Sequence, residues 1–87
     1  MISSAYHRAQ LALTLTREAA RRRADGCRSA AENCTTKAND FRAIAEAATD
    51  PETRRIALAF AAIAKREVMA EEAHAAAYDR VAKGGEP

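Results

Sequence analysis

Five side chains in this 87-residue chain combine donor chemistry with helical spacing: Cys27, Cys34, Glu67, Glu71 and His74. Thiolate with imidazole suits zinc or copper, and carboxylate with imidazole suits iron or manganese. The two thiols also offer redox chemistry, within limits set by geometry. Seven residues apart on one helix, they stand about 10.5 Å from each other, beyond the roughly 7 Å Cα separation that a disulfide spans. They cannot bridge within a chain. In an antiparallel dimer Cys27 meets Cys34 of the partner, giving an intermolecular disulfide or a shared site. A third reading is packing alone, with both cysteines as small apolar filler and Glu67, Glu71 and His74 wet or mutually paired.

Which reading holds depends on the elements that carry these residues. Ala48-Thr49-Asp50-Pro51-Glu52 is the clearest punctuation in the chain. Asp50 is suited to cap a helix, Pro51 to open it, and Glu52 to sit at its positive end, with Thr49 and Glu52 as an alternative capping box. The reading is a helix over about 4–48, a turn at 49–50, a helix over about 51–83 stopped by Gly84-Gly85, and a short tail at 84–87. Asp25-Gly26 is the one weak point of the first helix. It leaves two forms open: one long helix kinked at Gly26, or a break that gives a three-helix bundle.

Composition supports an all-α antiparallel hairpin. Twenty-four of the residues are Ala, there is no Trp, and Gly and Pro total five, three of them among the last four residues. Sixteen large apolar residues, counting Met1, make a thin core for a monomer. Self-association into a homodimeric four-helix bundle is therefore expected. On the second helix Ile56, Phe60, Ile63, Glu67, Ala70, His74, Ala77 and Val81 recur at four and three, which predicts the hairpin seam, with Tyr78 close to it. Leu58, Ala62, Met69 and Ala76 form a second stripe on the other side, the expected subunit interface. On the first helix Ala9, Leu13, Thr16, Ala20, Cys27, Cys34, Phe41 and Ala48 share a face, with Ala30, Ala31 and Ala45 beside it.

A fold about Thr49-Asp50 puts residues whose numbers sum to about 100 at one height, since both helices rise equally per residue. Phe41 and Ile44 then meet Phe60 and Ile56. Glu67 comes level with Cys34, and His74 with Cys27, while Glu71 flanks both. Between Leu15 and Phe41 the first helix has no large apolar residue, and this stretch faces the part of the second helix where Glu67 and His74 interrupt the seam. Buried charged or imidazole groups cost several kcal/mol unless paired or metal-bound, so the coincidence asks for a cause among the three readings above.

Glu71-x-x-His74 resembles the Glu-x-x-His half-motif of ferritin-like di-iron proteins, some of which are two-helix subunits dimerising into a four-helix bundle. The resemblance implies iron and a completing Glu on the first helix; Glu18, Glu32 and Glu46 all lie more than about 90° from the cysteine face. Arg22-Arg23-Ala24, Cys27-Arg28, Phe41-Arg42, Ala45-Glu46, Asp50-Pro51-Glu52 and Arg54 resemble a loose set of small bacterial hairpin proteins. That likeness implies the hairpin and no established activity.

Other features are weaker. Arg17, Arg21 and Arg28 share a face near Arg42, a stripe that in a nucleic-acid binder tracks phosphates. Acidic neighbours, absent aromatics and a net charge of only +2 argue against that partner. His7 is expected to be exposed. No apolar run approaches the roughly 20 residues that span a bilayer, and the N-terminus lacks secretory character, so a cytoplasmic protein with reduced thiols is expected. No nucleophile–base–orienter set is legible. The function expected is that of a non-enzymatic interaction or scaffold protein, with a protein partner as a further option. The alternative is a small metal-binding or redox-sensing bundle; no cofactor other than zinc, copper or iron is suggested.

Overall fold

Local chemistry sets the turn. Asp50 adopts an extended backbone (φ −92°, ψ 124°), and its carboxylate accepts from the Thr53 N–H at 2.9 Å and from the Thr53 hydroxyl at 2.8 Å. Pro51 begins the helix and Glu52 lies in its first turn. The computed structural model describes residues 3–84, with the side chains of Ser3, Ser4 and Leu15 outside that description. Within it the chain is two helices, α1 (Ser3–Ala47) and α2 (Pro51–Ala82), packed as a hairpin. Gly85 and the rest of the expected tail fall outside the described residues. Lys83 ends α2 with its N–H on the Asp79 carbonyl at 3.0 Å. Gly84 follows at φ +84°, the left-handed conformation that glycine supplies at helix ends.

α1 has no basic residue in its last turn, so α2 provides one across the turn. Arg54 donates from Nε to the Ala45 carbonyl at 3.3 Å and from a terminal nitrogen to the Ala48 carbonyl at 2.8 Å. A cation thereby meets the carbonyl end of α1, where the helix dipole favours it. At Gly26 α1 continues unbroken, which removes the three-helix alternative. Thr14, Thr16, Thr35 and Thr36 fit this long helix by returning their hydroxyls to the carbonyl four residues earlier.

The interior is made almost wholly of alanine. From α1 the buried residues are Ala20, Ala24, Ala31, Cys34, Ala38 and Ala45; from α2 they are Ala57, Ala61, Ala64, Ala75 and Ala82. Half-buried Cys27, Phe41 and Ala48 complete the first row, and Val68, Glu71 and Tyr78 the second. Both rows keep the four-and-three spacing of a heptad.

On α1 the expected face holds at Ala20, Cys27, Cys34, Phe41 and Ala48. On α2 the seam is displaced by one residue from the Ile56-Phe60-Ile63 row, a rotation of about 100°. Ile56, Phe60 and Ile63 are 45%, 48% and 42% exposed, and Glu67, Ala70 and His74 are exposed as well. The reason is polar. A seam through Ile56 would bury Glu67 and His74, whereas the alanine row carries only Glu71 inward.

The expected register holds. Phe41 and Phe60 stack with ring centroids 5.3 Å apart and planes inclined by 24°. Because α1 has 45 residues and α2 only 32, the N-terminal part of α1 runs past the end of its partner. There Tyr6, Leu11 and Leu13 are exposed, and Ala9 has no α2 residue to meet. The result is a rod 75 Å long and 16 × 14 Å across.

Two outcomes test this arrangement. Ala61→Leu, which forces a larger side chain into the seam, is expected to destabilise the fold by about 1–3 kcal/mol, whereas Ala62→Leu, one residue round the helix, is near neutral; equal effects in thermal melts would refute the displaced seam. Asp50→Ala is expected to lower the melting temperature by several degrees. Hydrogen bonds from Thr53 hold the Asp50 carboxyl below its ordinary value of 3.8. Its contribution is thus complete above that value and lost as pH falls through the lower folded one. The gap between the wild type and Asp50→Ala should close in acid.

Candidate functional site

The alanine rows bring the polar residues together in two separate places. Nearer the turn, the Cys34 thiol donates to Glu67 Oε2 at 3.3 Å. Cys34 is enclosed in the seam, and Glu67 leans over it from the flank of α2. One heptad further out, Cys27 Sγ, a carboxylate oxygen of Glu71 and a ring nitrogen of His74 all lie within 4.8 Å of one another. Glu71 Oε1 stands 3.8 Å from His74 Nδ1, too long for a hydrogen bond. Of the five residues singled out in the sequence, three therefore converge and two form their own pair.

Each position follows from its helix. Cys27 and Cys34 occupy equivalent seam positions of α1, so both point at α2. Glu71 lies in the seam row of α2, with its side chain 30% exposed, while His74 sits one row outward at 63%. Three residues of separation put them on the same face.

Both thiols hold their protons at neutral pH and remain free cysteines. The hydrogen bond to Glu67 pushes the Cys34 thiol up first, followed by burial and the Glu67 charge, with Lys37 opposing. Burial is the largest cause at Cys27, then the hydrogen bond and charge of Glu71, against Arg23 and Arg28. A thiolate is the nucleophile and the redox-active form, so burial, first at Cys27, and the neighbouring carboxylates, first at Cys34, quiet the cysteines as nucleophiles.

The remaining candidates lie elsewhere. Arg28 forms ion pairs with Asp25 at 2.6 Å and with Asp79 of α2 at 2.9 Å. Arg17 folds its guanidinium over Gly84, and Arg21 lines a groove with Asp25 and Asp79. Arg21 and Arg28 are thus interleaved with carboxylates, whereas the buried Arg17 Nε has no hydrogen-bond partner. Glu18, Glu32 and Glu46 are exposed away from the cysteines, so none of them completes a ferritin-like carboxylate set.

Leu58, Ala62, Met69 and Ala76 are all exposed, with Leu58 at 50% and Met69 at 65%. That side of the hairpin is charged: Leu58 shares a groove with Arg42, Glu46 and Arg54, and Glu72 shares one with Arg28 and Glu32. The opposite side collects Phe41, Ile44, Ile56 and Phe60 around an apolar groove. Sequence reasoning missed Arg54 as a cap and Asp79 as an ion-pair partner; both act across the hairpin and leave no local pattern.

Compared with protein-family models, curated proteins and solved structures, the chain matches none. Among the described residues no helix is long and apolar enough to cross a membrane.

The Cys34–Glu67 pair gives a direct test. Its sign is that of a raised pKa: the protonated pair stabilises the fold below the ordinary thiol value of 9.0 and the effect fades as pH rises through the folded one. Glu67→Gln should lower the Cys34 pKa and speed its alkylation by iodoacetamide at fixed pH, measured in a Cys27→Ser background. An unchanged rate would refute control of the thiol by Glu67.

Proposed function

We propose that this protein is a non-enzymatic interaction module that associates with a second copy of itself to form a four-helix bundle. The observation that carries this reading is the row of large apolar side chains along one open side of the hairpin. Ile44 is 49% exposed, in line with Ile56, Phe60 and Ile63 on the facing helix. Among the described residues no large side chain is fully buried. Burying a Leu-, Ile- or Phe-sized side chain contributes about 1.5–3 kcal/mol, and an alanine seam forgoes most of that.

A second copy supplies what the first lacks. Its own Ile44, Ile56, Phe60 and Ile63 form a self-complementary patch, the arrangement that a two-fold interface uses. Continuous apolar rows of this kind on soluble chains mark surfaces that associate. The opposite side, where Leu58 and Met69 stand among charges, fits solvent better. Overhanging Tyr6, Leu11 and Leu13 offer further apolar contact to a staggered partner.

Light scattering tests the reading. At micromolar concentration the wild type is expected at twice its chain mass of 9.4 kDa. Ile63→Glu and Phe60→Glu are each expected to give helical monomers, while Met69→Glu stays dimeric. A monomeric wild type refutes self-association, and a monomer produced by Met69→Glu alone moves the interface to the Leu58 side.

A further inference from the structure

We propose that Cys27, Glu71 and His74 form a zinc(II) site within one chain, clasping α1 to α2 at the outer part of the hairpin. Three donors of different chemistry converge there from two helices, all within 4.8 Å of one another. Ligands at zinc's usual bond lengths of about 2.0–2.3 Å are separated by roughly 3.5 Å around a tetrahedron. The 3.8 Å between Glu71 Oε1 and His74 Nδ1 is close to such an edge and has no role as a hydrogen bond. The three ligand atoms already lie within 4.8 Å of one another, and rotation about Cα–Cβ aims the Cys27 sulfur while three rotatable bonds aim the Glu71 carboxylate.

Donor chemistry selects the ion. One sulfur, one nitrogen and one oxygen suit borderline zinc better than copper(I), which favours sulfur throughout, or magnesium and calcium, which favour oxygen throughout. A thiolate and a carboxylate together neutralise the dication. With His74 at 63% exposure, the fourth position faces solvent and takes a water, as in open zinc sites. Cys34 and Glu67 stay outside, joined to each other at 3.3 Å. Binding breaks the Cys27 S–H bond and forms a zinc–sulfur bond; the proton passes to solvent and no electron is transferred.

The site occupies the stretch of the hairpin with the fewest large side chains, where a clasp adds most to stability. All three ligands belong to one chain, so the proposal does not depend on self-association. His74 is also roughly 16 Å along α2 from Ile63, beyond the apolar patch.

Cobalt(II) and zinc(II) titrations of the tag-free protein decide the question. One cobalt per chain is expected, with a thiolate-to-cobalt charge-transfer band and tetrahedral visible absorption, both displaced by zinc. Zinc should raise the melting temperature, and chelator should reverse the rise. Cys27→Ser should abolish the charge-transfer band and Cys34→Ser should retain it. His74→Ala, at an exposed position, and Glu71→Gln, which keeps the size and shape of the side chain, should each weaken cobalt binding at least tenfold with circular dichroism unchanged. Absence of the band in the wild type, its survival in Cys27→Ser, its loss in Cys34→Ser, or undiminished affinity in His74→Ala would each overturn the site.

Discussion

Close packing of two alanine rows is the constraint from which the rest of the molecule follows. A methyl group is the largest side chain that most seam positions hold, so the helices approach closely and give a rod only 16 × 14 Å across. Such a seam gains many small dispersion contacts at little side-chain entropy cost, yet buries little apolar area. Apart from half-buried Phe41, Val68 and Tyr78, the large side chains near the seam are left to its edges. Phe41 and Phe60 stack at the rim, and Ile44, Ile56 and Ile63 stay half in water. The same narrowness brings Cys34 within reach of Glu67, and Cys27 within reach of Glu71 and His74.

Polar groups fix the rotation of α2 about its axis. Two rows were available to face α1, one of Ile, Phe and Ile followed by Glu67 and His74, the other of alanines with Glu71. The alanine row leaves Glu67 and His74 at the edge of the seam, each with a polar neighbour. Arg54 and the Arg28–Asp79 pair then tie the helices at the turn and toward the open end. The Arg28–Asp79 pair is substantially exposed and contributes little stability.

Quiet cysteines are compatible with a metal clasp. A carboxylate that holds a thiol in its protonated form suppresses its reaction with electrophiles. Toward a dication, the same carboxylate is a ligand and a compensating charge. Cys34 has the Glu67 carboxylate as its hydrogen-bond partner, and Cys27 has a carboxylate and an imidazole within ligand distance. One imidazole thus separates two sites that look equivalent along α1.

By itself the sequence determined what depends on neighbours along the chain. Asp50-Pro51-Glu52 sets the turn because capping is local, and the turn sets which residues lie level, so that Cys34 falls beside Glu67 and Phe41 beside Phe60. A break at Gly26 stayed open because one glycine costs too little to end a helix in an alanine-rich segment, and the continuous α1 closed that question. The rotation of α2 was not legible. With 24 alanines, several rows on each helix are apolar enough to form a seam, and hydrophobic periodicity loses its power to choose among them. Tertiary structure made that choice, by keeping Glu67 and His74 out of the seam and letting the smallest side chains meet. It thereby divided one cluster of five polar residues into a hydrogen-bonded pair and a three-donor site.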